Sequence, residues 1–212
     1  MTKQWMGAAL ALGVGLCATD AAACENGVEI RVVPITRLVA QGAQALAQEH
    51  PARAVDLAGR AIRRIRGSRR STRNRLLMNR SKRVLALATV RLDGAVDTER
   101  FVVAPSLDAA ARQLALRWAV GILEYAFDQE HGPIATAEYA EALARFDSQR
   151  ARARMLLRGL SAGDVMPDAH GYRVLAGLED DAADRERALA ACRQRAGARA
   201  AAICAAPAPG DG

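Results

Sequence analysis

From Thr36 onward, apolar residues recur at helical spacing in one segment after another. Leu38, Val39, Gly42, Leu46 and Ala47 share one face of a first helix. Glu49 and His50 interrupt it, and Pro51 suits the first position of the next helix, where its missing N–H is not needed. Ala54, Val55, Ala58, Ala61, Ile62 and Ile65 form a second stripe, stopped by Gly67 and Ser68. Two helices joined by so short a turn must lie antiparallel. Residues 72–92 predict a third helix, with Leu76, Leu77, Val84, Leu85, Leu87, Ala88 and Leu92 as its core candidates. Asp93-Gly94 is a turn signal, and Pro105 to Asp108 precede a helix over 107–128. Its apolar set is Leu114, Leu116, Trp118, Ile122, Leu123, Tyr125 and Ala126, and Gly132-Pro133 ends it.

Residues 135–147 and 150–162 predict a further hairpin, with Ala142 and Ala153 facing each other. Gly163-Asp164 and Pro167-Asp168 separate it from a last pair. Tyr172, Leu175 and Ala176 mark one helix of that pair. Asp180, Asp181 and Asp184 mark a turn, and the segment from Glu186 opens the other helix, with Cys192 on its apolar face. The expectation is eight helices in four hairpins, an all-α fold over residues 34–204. Ahead of it, residues 26–33 alternate apolar and polar, and 24–33 read as an extended lead-in with no later strand partner. Residues 205–212, with two prolines and two glycines, read as a disordered tail.

Gly42, Ala54 and Ala61 are separated by twelve and seven residues. That spacing of small residues resembles the tetratricopeptide repeat, whose two helices cross closely at such positions. Ala176 and Ala188 repeat the separation of twelve, but Arg195 stands where the next small residue belongs and Ala196 comes one step late. Gln41, Ala45 and Ala58 replace bulkier residues usual in the repeat. The resemblance implies a short solenoid of stacked hairpins, in which neighbours bury what no hairpin buries alone. An irregular orthogonal helical bundle is the alternative architecture. The family's usual role is non-enzymatic: a concave groove, built from the first helix of each hairpin, holds a peptide or protein. Carried onto this chain, that role points to Arg37, Gln41 and Gln44 as polar contacts.

Composition sharpens the picture. Hydrophobic residues make up 51% of the chain and aromatics only 4%, so the core must be built from Leu, Val and Ala, which favours closely packed helices. The first 23 residues read as a secretory signal. Lys3 starts it, an apolar run from Trp5 to Leu16 is too short to span a bilayer, and Ala21-Ala22-Ala23 offers a cleavage site. The expected location is the periplasm of a Gram-negative bacterium or the exterior, with no transmembrane segment in the mature chain.

Export makes disulfides available. Cys17 leaves with the signal, and Cys24, Cys192 and Cys204 remain. Cys192–Cys204 is the preferred pair, a bridge from Cys24 to the C-terminal region is its rival, and lipidation of Cys24 is a further use for a left-over thiol.

The net charge is +7, and the basic residues are arginines apart from Lys3 and Lys82. From Arg60 to Arg91 there are twelve basic residues and no acid. A block spanning a helix end, a turn and a helix start forms an electropositive ridge, to which Arg63, Arg64, Arg69, Arg70 and Arg73 belong. One reading is a solvated face partly paired with acids elsewhere in the fold. The other is a surface for an acidic protein, an anionic lipid or a glycan, and it makes an envelope-associated electrostatic binder the alternative function. Nucleic acid is disfavoured, because no aromatic residue lies within the block to stack on bases. No catalytic, metal or phosphate-loop motif is present. His50, His131 and His170 each adjoin a turn and read as loop histidines, and no cofactor is expected.

Overall fold

The computed structural model describes residues 33–205. The signal segment, the 24–32 part of the lead-in with Cys24, and residues 206–212 lie outside the described residues. Among the described residues the chain is all-α apart from one small hairpin. Its elements are α1 (Ile35–Ala47), α2 (Pro51–Arg66), α3 (Thr72–Arg91), β1 (Val96–Asp97), β2 (Val102–Val103), α4 (Ala109–Glu130), α5 (Pro133–Leu143), α6 (Arg150–Ala162), α7 (Ala169–Leu178), α8 (Ala182–Ala196) and a short α9 (Ala200–Ile203).

Helix starts follow local chemistry. Ser71 accepts a hydrogen bond from the Asn74 amide at 3.1 Å, and Asp108 one from Ala111 at 2.7 Å. Asp168 accepts from Gly171 at 3.1 Å, and Asp181 from Ala183 and Asp184 at 2.9 Å. Each carboxylate or hydroxyl thus satisfies a donor that the helix cannot. Pro51 and Pro133 open α2 and α5. Glu49, Asp93, His131 and Asp164 close helices or turns with positive φ.

Each helix packs on the next in sequence, and α1 with α3, α3 with α5, and α5 with α7 also touch. Small residues permit this. Ala54, Ala58 and Ala61 are fully buried. A Cβ on Gly42 would lie 3.1 Å from Val84 Cγ1 and 3.7 Å from Leu57 Cβ, so α1 approaches both α2 and α3 there. Two apolar clusters result. One joins α1, α2, part of α3 and the β-hairpin; the other joins α4 to α9. The third helix serves both: Val84, Leu85, Leu87 and Ala88 enter the first cluster, Ala86 and Val90 the second.

Several expectations are corrected. Leu76, Leu114 and Tyr125 are exposed rather than core. The buried face of α4 is Ala115, Leu116, Ala119 and Leu123, and Leu114 and Tyr125 fall off that stripe. Leu76 is likewise one position from the buried Leu77. The fifth helix is Pro133–Leu143 rather than 135–147, followed by a 3₁₀ turn at Asp147–Gln149. The eighth begins at Ala182, so Asp184 lies inside its first turn. Ala196, not Arg195, takes the buried place after Ala188.

The β-hairpin was not anticipated. Its strands pair Val96 with Val103 and Asp97 with Val102. Phe101, at φ 59°, is driven against α2 at Gly59, where an added Cβ would lie 2.7 Å from Phe101 Cβ.

Candidate functional site

Spacing on three helices builds one groove. From α1 come Thr36, Val39, Ala40, Ala43, Leu46 and Ala47, all at steps of one, three or four. From α3 come Leu77, Arg80, Arg83, Val84, Leu87 and Arg91, again one helical stripe, and α5 adds Ile134 and Glu138. The cavity is about 510 Å³. Its α1 wall is apolar apart from Thr36, and its charged residues lie across α3 and α5.

The charged wall is largely self-neutralised. Arg83 binds Glu138 through Nε and Glu130 through Nη1, the latter at 2.7 Å. Arg91 forms a two-pronged pair with Glu141, at 3.1 and 3.2 Å, and donates to the Leu46 carbonyl at 3.2 Å. Asp168 stands 3.5 Å from the same guanidinium. Arg91 and Glu141 side chains are only 7% and 6% exposed, so this is a buried pair whose members depend on each other.

Burial alone would raise the Glu141 pKa, but the charges of Arg91 and His170 outweigh it and hold the carboxyl below the usual range. Burial acts against the charged form of Arg91 too, yet Glu141 and its neighbours push that pKa up. For Glu138 burial prevails and the pKa rises despite Arg83. Arg80, exposed at the groove's side, has no carboxylate partner among the described residues.

Next to the groove, the α1–α2 turn is fastened to the far end of the chain. His170 Nε2 and Glu49 Oε2 share a hydrogen bond at 2.5 Å, and Arg199 donates to the Ala47 carbonyl. His170 is therefore not a loop histidine. It sits in the first turn of α7 and is 7% exposed. His50 and His131 do flank helices, at the start of α2 and the end of α4.

The predicted groove contacts lie elsewhere. Arg37, Gln41 and Gln44 form their own stripe on α1, beside the one that lines the groove. The arginine block does span the end of α2, a turn and the start of α3. Within it, Arg63 donates to the Arg100 carbonyl at 3.0 Å and Arg64 to the Val33 carbonyl at 2.5 Å. Arg69 and Arg70 line a second cavity, and Arg73 is exposed beside it. Cys192 and Cys204 are joined, with sulfurs 1.99 Å apart, as preferred.

Sequence reasoning missed the Arg91–Glu141 and Glu49–His170 pairs. Arg91 counted only as the last member of a basic block. The one signal was phase: Glu141 falls among Ala137, Ala140 and Ala142, all buried.

Among the described residues no three His, Cys, Asp or Glu side chains converge as a metal site, and no described helix is long and apolar enough to cross a membrane. Compared with family models, curated proteins and solved structures, the chain matches none. Fold and site together define, over the described residues, an all-α protein of consecutively packed helices with a half-apolar groove between α1, α3 and α5.

Proposed function

We propose that this chain is an exported, non-enzymatic adaptor with tetratricopeptide-like hairpins, holding a peptide or protein segment in the groove between α1, α3 and α5. The observation that carries this reading is the groove itself: first helices of successive hairpins line it, with apolar residues on one side and Arg80 on the other. Two further facts support it. Odd-numbered helices touch one another in order, small residues meet where α1 approaches α2 at Gly42 and Ala54, and Ala61 is buried further along α2. The apolar wall supplies affinity by excluding water, while the paired charges opposite keep the wall rigid. The periplasm is the proposed compartment, resting on the signal-like first 23 residues and the Cys192–Cys204 bridge.

Photo-crosslinking from Ala43, followed by a pull-down from envelope extract, tests the proposal. A partner should crosslink at Ala43 and be retained at both about 50 and about 500 mM salt, since apolar anchoring resists screening. The Ala43→Glu and Ile134→Glu variants, both at exposed positions, should lose it. Capture that ignores these two substitutions and vanishes at high salt would overturn the groove reading.

A further inference from the structure

The cavity at the turn between α2 and α3 carries a different chemistry. It measures about 650 Å³ and is lined by Arg66, Arg69, Arg70 and Arg75, over Ile65 and Met78. We propose that this cleft binds a compact anion with two or more phosphoryl groups, whether free or borne on a lipid headgroup. The site is separate from the groove and does not rest on its occupancy.

Three observations carry the inference. First, the positive charge is left uncompensated at this place. Arg83, Arg91, Arg112, Arg145, Arg154 and Arg158 each lie within 4.0 Å of a carboxylate. No described carboxylate pairs with any arginine from Arg63 to Arg80, and the sequence holds no acid between Asp56 and Asp93. Unneutralised like charges at this density work against folding. A single acid in the turn would relieve that, and the fold uses acids this way elsewhere.

Second, the turn is held in shape without any acid. Asn74 Nδ2 donates to the Arg69 carbonyl at 2.7 Å, Ser68 Oγ to the Arg64 carbonyl at 2.8 Å, and Ser71 caps α3. Arg66 is steadied over the Phe101 ring at 4.9 Å. The guanidinium groups therefore start from a fixed backbone, which lowers the ordering cost of closing on a ligand.

Third, guanidinium forks match phosphoryl oxygens in pairs, and four of them exceed what one phosphate neutralises. The start of α3 adds its helix dipole in the same direction. The absence of aromatic residues in the cleft lining leaves no platform for bases, which favours a compact ligand over a nucleic-acid strand.

Calorimetric titration of the purified protein with sodium pyrophosphate tests the site, with vesicles of phosphatidylcholine, plain or containing cardiolipin, whose headgroup carries two phosphates, as the lipid arm. The Arg69→Gln/Arg70→Gln/Arg75→Gln variant should lose roughly tenfold or more in affinity. A control with Arg53, Arg117 and Arg173 changed to Gln removes the same charge elsewhere and should keep it. Binding of pyrophosphate identifies a soluble ligand class; binding of the cardiolipin vesicles alone identifies a headgroup, and either supports the site if the cleft variant loses it.

Equal weakening in both variants would reduce the effect to net charge and overturn the proposal. So would binding to neither probe, or tighter binding of a single-stranded oligonucleotide than of pyrophosphate. Circular dichroism on each variant confirms that the fold is retained.

Discussion

His170 in α7 and Glu49 in the α1–α2 turn meet at 2.5 Å although 121 residues separate them. Glu49 is only 25% exposed, and burial by itself would raise its pKa. The hydrogen bond and charge of His170, with Arg91 and Arg199 nearby, win and lower it. A carboxyl whose pKa is lower folded than unfolded adds stability above the unfolded value and loses it as pH falls through the folded one. Glu141 acts in the same direction and Glu138, whose pKa is raised, in the opposite one. Thermal unfolding followed from about pH 6 to about pH 3 should therefore show stability lost below about pH 4.3, the ordinary glutamate value. Glu49→Gln should flatten part of that decline. An unchanged profile would show that the pair contributes nothing to acid sensitivity.

Removing Arg91 should be far worse than removing a surface arginine. Glu141, fully enclosed, would be left as an unpaired charge, at a cost of about 3–5 kcal/mol. Arg91→Met should thus lower the urea midpoint sharply. The double variant Arg91→Met/Glu141→Leu should recover most of the loss, because it leaves neither charge orphaned. A double variant no better than the single one would place the damage in packing instead.

Two helix-interior glycines should respond oppositely to alanine. At Gly59 the new Cβ would stand 2.7 Å from Phe101 Cβ and 2.9 Å from its carbonyl oxygen, so the β-hairpin must shift. Gly59→Ala should destabilise by about 1–3 kcal/mol. At Gly121 nothing lies within 4 Å, and Gly121→Ala should stabilise α4 by about 0.5–1 kcal/mol. Denaturant melts of the two variants give the comparison directly.

Cys192 is fully buried, and its bond to Cys204 closes a sequence separation of 12. Loop closure of that size in the unfolded chain is worth about 2–4 kcal/mol. Paired Cys192→Ala/Cys204→Ala substitution should lower the melting temperature accordingly and release α9 and the preceding Gly197–Arg199 turn first. Hydrogen exchange at Ile203 would report that release.

Much of the helical framework could be read before any coordinates. Pro51, Gly67 and Asp108 are each a start or stop with one physical meaning, so the bounds of α2 and the start of α4 lie close to those expected. The small residues Gly42 and Ala54 mark where α1 and α2 come close. The hairpin at residues 96–103 escaped because two-residue strands have no period to detect. The fifth helix was drawn too long because Ala144 and Phe146 continue its apolar character past the point where the chain turns.

At the site the difficulty was of another kind. Charged residues are ordinarily read as solvent-facing, so Arg91 and Glu141 carried no mark of burial. His170 and Glu49 sit in two segments whose proximity only the path of the chain creates. The groove stripe on α1 was one helical step from the predicted Arg37, Gln41 and Gln44, because the choice between adjacent faces depends on where α3 packs.

The double membership of α3 governs how the molecule comes apart. With Val84, Leu85, Leu87 and Ala88 in one apolar cluster and Ala86 and Val90 in the other, neither half can open without stripping one side of the same helix. Local openings should then stop at the outer helices, and larger ones should merge into a single all-or-none event. Amides between Val84 and Val90 should be the last to exchange, all with one common opening free energy, that of global unfolding.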